Sequence, residues 1–143
     1  MRLFFLILLF LPVKNCQDKT NMDNYISKLV YEVSSRGYYH HIEISKNQIL
    51  VSDNRELEKP LKGSINKETW QSLVIMLEGL EIENLGSLNT STEESAMDRS
   101  LIGELTVYVD ENSYTSPMFD HSNPPDHLKG LISQMMALAE TVE

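Results

Sequence analysis

The chain has 143 residues, of which 21 are acidic and 12 basic, for a formal net charge of −9. That sign disfavours nucleic-acid phosphates and anionic lipid surfaces as partners. A single cysteine leaves neither an intrachain disulfide nor a thiolate metal cluster, and the length suits one domain built on one hydrophobic core.

Residues 1–15 read as an export signal. Arg2 precedes an unbroken apolar run from Leu3 to Val13. A helix of that length rises only about 16 Å against a hydrocarbon core of about 30 Å, so the run suits a signal rather than a membrane span. Cys16 follows at once. With Val13 three residues before it, this segment resembles the lipobox of bacterial lipoproteins, although Lys14 and Asn15 stand where that family usually places small residues; looser versions occur in Bacteroidota. The resemblance implies a diacylglycerol on Cys16 and attachment to a membrane, at the outer membrane facing the periplasm or at the cell surface. Buried acyl carbons contribute about 0.8 kcal/mol each to such an anchor. An ordinary secretory signal releasing a soluble protein is the alternative, and an uncleaved anchor is a third. Without Arg2 and Lys14, ten basic residues face 21 acidic ones.

Residues 16–25 form a polar tether. Beyond it, 26–143 read as a single domain. Ile26 to Val33 is rich in β-branched and aromatic residues and ends in the turn chemistry of Ser34-Ser35-Arg36-Gly37. Tyr38 to Ser45 alternates, which puts Tyr38, His40, Ile42 and Ile44 on a core face and Tyr39, His41, Glu43 and Ser45 on the other. Lys46-Asn47 turns the chain into a third strand, Gln48 to Asp53. Asn54 to Ser64, with Pro60 and Gly63, is expected to be a connection.

A helix begins after Asn66, whose side chain can cap it, with Ile65 packing on Trp70 as a staple. Trp70, Leu73, Val74 and Leu77 make its buried stripe. A mobile loop is expected over about 84–103, because the polar centre of that stretch has no apolar anchor. Glu104 to Tyr108 and Tyr114 to Phe119 form a hairpin turning at Glu111-Asn112, with Val109 opposite Tyr114. Pro117 puts its second strand at an edge or a bulge. After Pro124-Pro125 a closing helix carries Leu128, Leu131, Ile132, Met135, Leu138 and Ala139 inward. The expected architecture is α+β, about five antiparallel strands in the order βββ-α-ββ-α, with both amphipathic helices on one face of the sheet.

The densest reactive cluster is Asp120-His121-Ser122, with Asp126 and His127 close behind. A hydrolase could use His121 as general base, Asp120 or Asp126 to orient it, and Ser122 as nucleophile. No nucleophile elbow surrounds Ser122, however, and Asp120, Ser122 and Asn123 are equally the residues of a turn and a helix entry. Metal binding would need His40 or His41 to converge with His121 through the sheet. The simpler expectation is a half-buried, hydrogen-bonded His40 and an exposed His41 beside Glu43. Phosphate loops, Cys-x-x-Cys pairs and His-Glu-x-x-His are absent from the sequence, so no cofactor is expected. Tyr39 and Tyr108 fall on the outward face by strand parity and, with His121, make a candidate binding surface.

The N-terminal segment, the tether and the small acidic domain together resemble small lipoproteins of Bacteroidota, a resemblance that carries no activity with it. The expected function is therefore non-catalytic: a membrane-tethered domain, attached through its lipidated N-terminus, that binds a protein or other ligand and no nucleic acid. The alternatives are the small hydrolase above and an inhibitor-like binder of a periplasmic enzyme.

Overall fold

The computed structural model describes residues 25–90 and 100–142. The signal segment, Cys16, the tether through residue 24 and the centre of the expected loop, 91–99, lie outside the described residues.

Among the described residues, seven strands form one antiparallel sheet: β1 (Ile26–Ser35), β2 (Tyr38–Ser45), β3 (Gln48–Ser52), β4 (Leu61–Ser64), β5 (Ile102–Val109), β6 (Asn112–Thr115) and β7 (Phe119–Asp120). Their spatial order is β4-β3-β2-β1-β5-β6, with β7 also pairing with β5. The first three strands make the expected meander, and β1 becomes the centre of the sheet by pairing on its other side with β5. Among the described residues, two α-helices, α1 (Lys67–Ile75) and α2 (Asp126–Ala139), complete the mixed α and β architecture.

The strand count and order differ from expectation at two places. Leu61–Ser64, expected to be part of a connection, is the edge strand β4, paired with β3 from Val51↔Leu61 to Gln48↔Ser64. Gly63 makes this edge workable, since a Cβ there would stand 3.0 Å from Ile49 Cγ2 and 3.2 Å from Val142 Cγ2. At the other side, the strand expected over 114–119 is broken into β6 and β7. Pro117 has no N–H to donate, and the Ser116 hydroxyl takes over part of the ladder by accepting from the Leu105 N–H at 3.0 Å. The hairpin turns at Asp110-Glu111 instead of Glu111-Asn112, with Asp110 in the left-handed region at φ 52°. Tyr114 consequently faces Val107, not Val109. A slip of two residues leaves every side chain on its expected face, which is why the apolar pattern tolerates it.

The helices follow their sequence signals closely. The Thr69 N–H donates to Asn66 Oδ1 at 2.8 Å, closing the expected cap. Trp70, Leu73, Val74 and Leu77 are buried, as are Leu128, Leu131, Ile132, Met135 and Ala139. They share one core cluster with Leu29, Tyr31, Val33, Ile42, Ile44, Leu105 and Val107 of the central strands. The loop expected from residue 84 opens instead with a 3-10 helix, Ile82–Ser87, pinned by buried Leu85, and β5 already begins at Ile102. Among the described residues, no helix is long and apolar enough to cross a membrane.

Candidate binding surface

Strand pairing sorts the candidates. Tyr39 and Tyr108 both stand on the sheet face opposite Leu29, Tyr31, Ile42 and Leu105, as alternation implied, but they are far apart. Tyr39 pairs with Ser34 at one end of β1, and Tyr108 with Lys28 at the other, a separation of about 20 Å along the strand. His121 belongs to neither neighbourhood; it hydrogen-bonds Tyr31 of the core face. The three expected surface residues are therefore not one site.

The Tyr108 end is occupied from within. The Lys28 ammonium lies 4.3 Å from the Tyr108 ring centroid and 3.1 Å from Glu43 Oε2. Such a pair, satisfied by its own neighbours, has little left to offer a ligand.

The Tyr39 end holds more chemistry. The Tyr39 hydroxyl donates a short hydrogen bond to Glu32 Oε1, and His41 Nδ1 lies 3.3 Å from the same oxygen. Burial, followed by the hydrogen bond to Glu32, pushes the Tyr39 phenol up to about 12, so it remains a donor throughout the neutral range. The Arg55 guanidinium stacks over the Tyr39 ring at 4.8 Å. His41 is not exposed as its parity suggested: its residue is only 7% accessible, its ring stacked with Tyr39 and its nitrogens facing Glu32 and Glu43. Outward-pointing is not the same as exposed when long neighbours fold across a side chain.

Sequence reasoning also missed the partner of Glu32. Glu104 sits directly opposite it across the β1–β5 pairing. Two carboxylates in register on adjacent strands repel, and burial together with Glu32 raises the Glu104 carboxyl above its ordinary value. These groups line a cavity of about 280 Å³ with Ser34, Tyr39, Arg55, Ile102 and Met118. A raised carboxyl pKa means that stability is fullest below the ordinary value and declines as pH rises through the shifted one. Replacement Glu104→Gln should therefore stabilise the neutral-pH protein by about 0.2–1 kcal/mol, a range that allows for solvent screening. The gain should vanish in acid, at about pH 3, where the raised Glu104 carboxyl carries its proton and no longer repels Glu32. Urea titrations at the two pH values measure it, and an equal gain at both would refute the repulsion.

The Asp120–His121 cluster assembles a fold junction. Asp120 Oδ1 accepts from the Ser122 N–H at 2.8 Å and from its hydroxyl at 2.7 Å, and the Asn123 N–H returns to the Asp120 carbonyl at 3.0 Å. This is the turn expected of those residues, and it directs the Ser122 hydroxyl to Asp120, not to His121. Tyr31 Oη lies 2.8 Å from His121 Nδ1. Burial pushes the Tyr31 phenol up, with Asp120 adding to it. Burial also pulls His121 down, reinforced by His40 and opposed by Asp120. A protonated phenol beside an imidazole held toward its neutral form joins Tyr31 and His121 through one shared hydrogen bond. A polar cavity of about 320 Å³ nearby in sequence is walled by Asn123, Asp126 and Lys129, rather than by His121 or Ser122. Asp126 is paired with Lys129 at 2.7 Å, which holds its carboxyl below the usual range.

His40 is half-buried and hydrogen-bonded, to Asp53 Oδ1 at 2.6 Å. Among the described residues, no group of three or more His, Cys, Asp or Glu converges as a metal site. A cavity of about 540 Å³ between Tyr25, Ile26, Leu80, Ile82, Val109 and Tyr114 is lined by none of the expected site residues. No protein-family model and no curated protein matches the chain.

Proposed function

We infer that the chain is an exported, lipid-anchored and non-catalytic domain that binds a partner at the periplasmic or outer surface through the sheet face carrying Tyr39. In this reading both helices pack on the opposite face, so the Tyr39 face is left for binding. One observation carries it: Tyr39, Glu32, Arg55 and Glu104 form a mixed-charge group beside Ile102 and Met118 while remaining only partly covered. Aromatic and arginine side chains held in place are the usual anchors of a recognition surface, because little entropy is left to lose on binding. The anchor itself rests on Cys16 and the apolar run before it. An acidic domain gains nothing from an anionic membrane surface, so attachment through acyl chains supplies what its charge cannot.

Two measurements test the two halves. Mass spectrometry of the mature N-terminus is expected to find a diacylglyceryl-modified Cys16; an unmodified Cys16 removes the anchor. A photo-crosslinking residue placed in turn at Ser34, Met118 and the exposed α2 position Ser133 is expected to capture a partner in intact cells from the first two sites alone. Equal labelling from Ser133 removes the surface.

A further inference from the structure

The cavity beside Tyr39 has charges of both signs on its walls and an apolar side. Glu32 and Glu104 face each other across β1 and β5. Glu32 is fixed by the Tyr39 hydroxyl and by His41, whereas Glu104 has no basic partner among the described residues. Arg55 stands over the Tyr39 ring, 4.8 Å from its centroid, and is likewise in no ion pair among the described residues. The phenol ring thus spaces an unpaired guanidinium from the carboxylate bound at its hydroxyl. Ile102 and Met118, the latter 62% exposed, supply the apolar wall. The volume of about 280 Å³ falls just under the 300–1,000 Å³ of sites for drug-sized ligands, which selects something smaller.

We propose that this cavity binds a small zwitterion of the α-amino-acid class, its ammonium between Glu32 and Glu104, its carboxylate on Arg55, and an apolar side chain against Ile102 and Met118. The inference deepens the reading of the Tyr39 face as a binding surface and is independent of the lipid anchor. It explains two features at once. The carboxylate pair is unfavourable when empty and becomes favourable around an ammonium group, which accepts no hydrogen bond and donates three. Arg55, whose planar fork matches a carboxylate, is held by stacking in a position where both of its donor edges stay available.

L-leucine is the probe, titrated into the isotope-labelled full chain and followed by the backbone amide resonances of Tyr39, Arg55, Ile102 and Glu104. Saturable shifts at these four are expected. L-leucine amide lacks the carboxylate and 4-methylpentanoate lacks the ammonium, and each should bind about ten- to a hundredfold more weakly, the cost of one lost charged hydrogen-bonding group. Glu104→Gln, melting no lower than the parent, and Arg55→Gln, which gives up only its exposed contact with the Tyr39 ring, should lose leucine affinity to a similar degree. Absence of shifts, or leucine amide binding as tightly as leucine, or an unchanged affinity in Arg55→Gln, overturns the zwitterion assignment. The crosslinks from Ser34 and Met118 then separate the two failures: their persistence leaves the surface standing with the wrong ligand class, and their loss removes both.

Discussion

Replacing Gly103 by alanine should destabilise the protein by about 2–3 kcal/mol, the upper part of the range for overfilling a packed site, and lower its melting temperature by about 10 °C. The cause is local. Gly103 lies on the core face of β5, opposite Val33 on one side and Phe119 on the other. A Cβ there would overlap the Tyr31 hydroxyl and stand 2.9 Å from the Phe119 ring and 3.1 Å from Tyr31 Cζ. Tyr31 and Phe119 stack with ring centroids 6.2 Å apart and are both fully buried, so neither can step aside without opening the core. The clash falls chiefly on one oxygen, and this makes a double-mutant cycle informative. Tyr31→Phe alone removes the hydrogen bond to His121 and should cost about 1 kcal/mol. In the Gly103→Ala background the same change removes the overlapping atom, so the double variant should be more stable than additivity predicts by about 1 kcal/mol. Strict additivity in urea denaturation would mean that the Tyr31 hydroxyl is not what Gly103 makes room for.

Gly103 and Tyr31 also mark the boundary of what the sequence reveals. Features with a short period or a local signal are legible: the Asn66 cap, the stripe from Trp70 to Leu77, the alternation along β2 that places Tyr39 outward, and the Asp120–Ser122 turn. Each depends on residues within a few positions of one another, where helix and strand geometry fix relative direction. Features created by pairing distant strands are not. That Glu32 meets Glu104, that Tyr31 reaches His121, and that Gly103 must lack a side chain all follow from the β1–β5 register and the return of β7 beside β5. Nothing local in either segment encodes that register.

The edge strand β4 fails for a different reason. Its four residues, Leu-Lys-Gly-Ser, contain one apolar side chain and follow a proline, and its pairing is decided by the fit of Gly63 over Ile49 and Val142. The same logic explains His41. Alternation reported its direction correctly, but its burial is set by Tyr39, Glu32 and Glu43, whose long side chains close over it. Of the candidate surface, then, Tyr39 was visible as a side chain and the cavity around it was not.

The second large effect is expected at Trp70, where alanine should cost about 3–5 kcal/mol and phenylalanine only about 1–2 kcal/mol. Trp70 is 1% exposed in the first full turn of α1 and is among the largest side chains buried in the core. Alanine removes the ring and leaves a cavity that the β-sheet beneath cannot fill by relaxing. Phenylalanine also loses volume, but it loses the indole N–H as well, and Trp70 Nε1 is buried without a hydrogen-bond partner among the described residues. An unpartnered buried donor carries a desolvation cost of about 1–3 kcal/mol in the native protein, and phenylalanine abolishes it. Alanine removes the same N–H, so the gap between the two substitutions reflects ring volume alone, and the relief shows as a phenylalanine loss smaller than its change in volume gives. Urea denaturation of the two variants measures that gap directly, provided the m-values match the parent's and the unfolding remains two-state. A phenylalanine loss above about 3 kcal/mol would place a hydrogen-bonding partner at Nε1, and tryptophan would then owe its position to that bond as well as to the start of α1 that Asn66 caps.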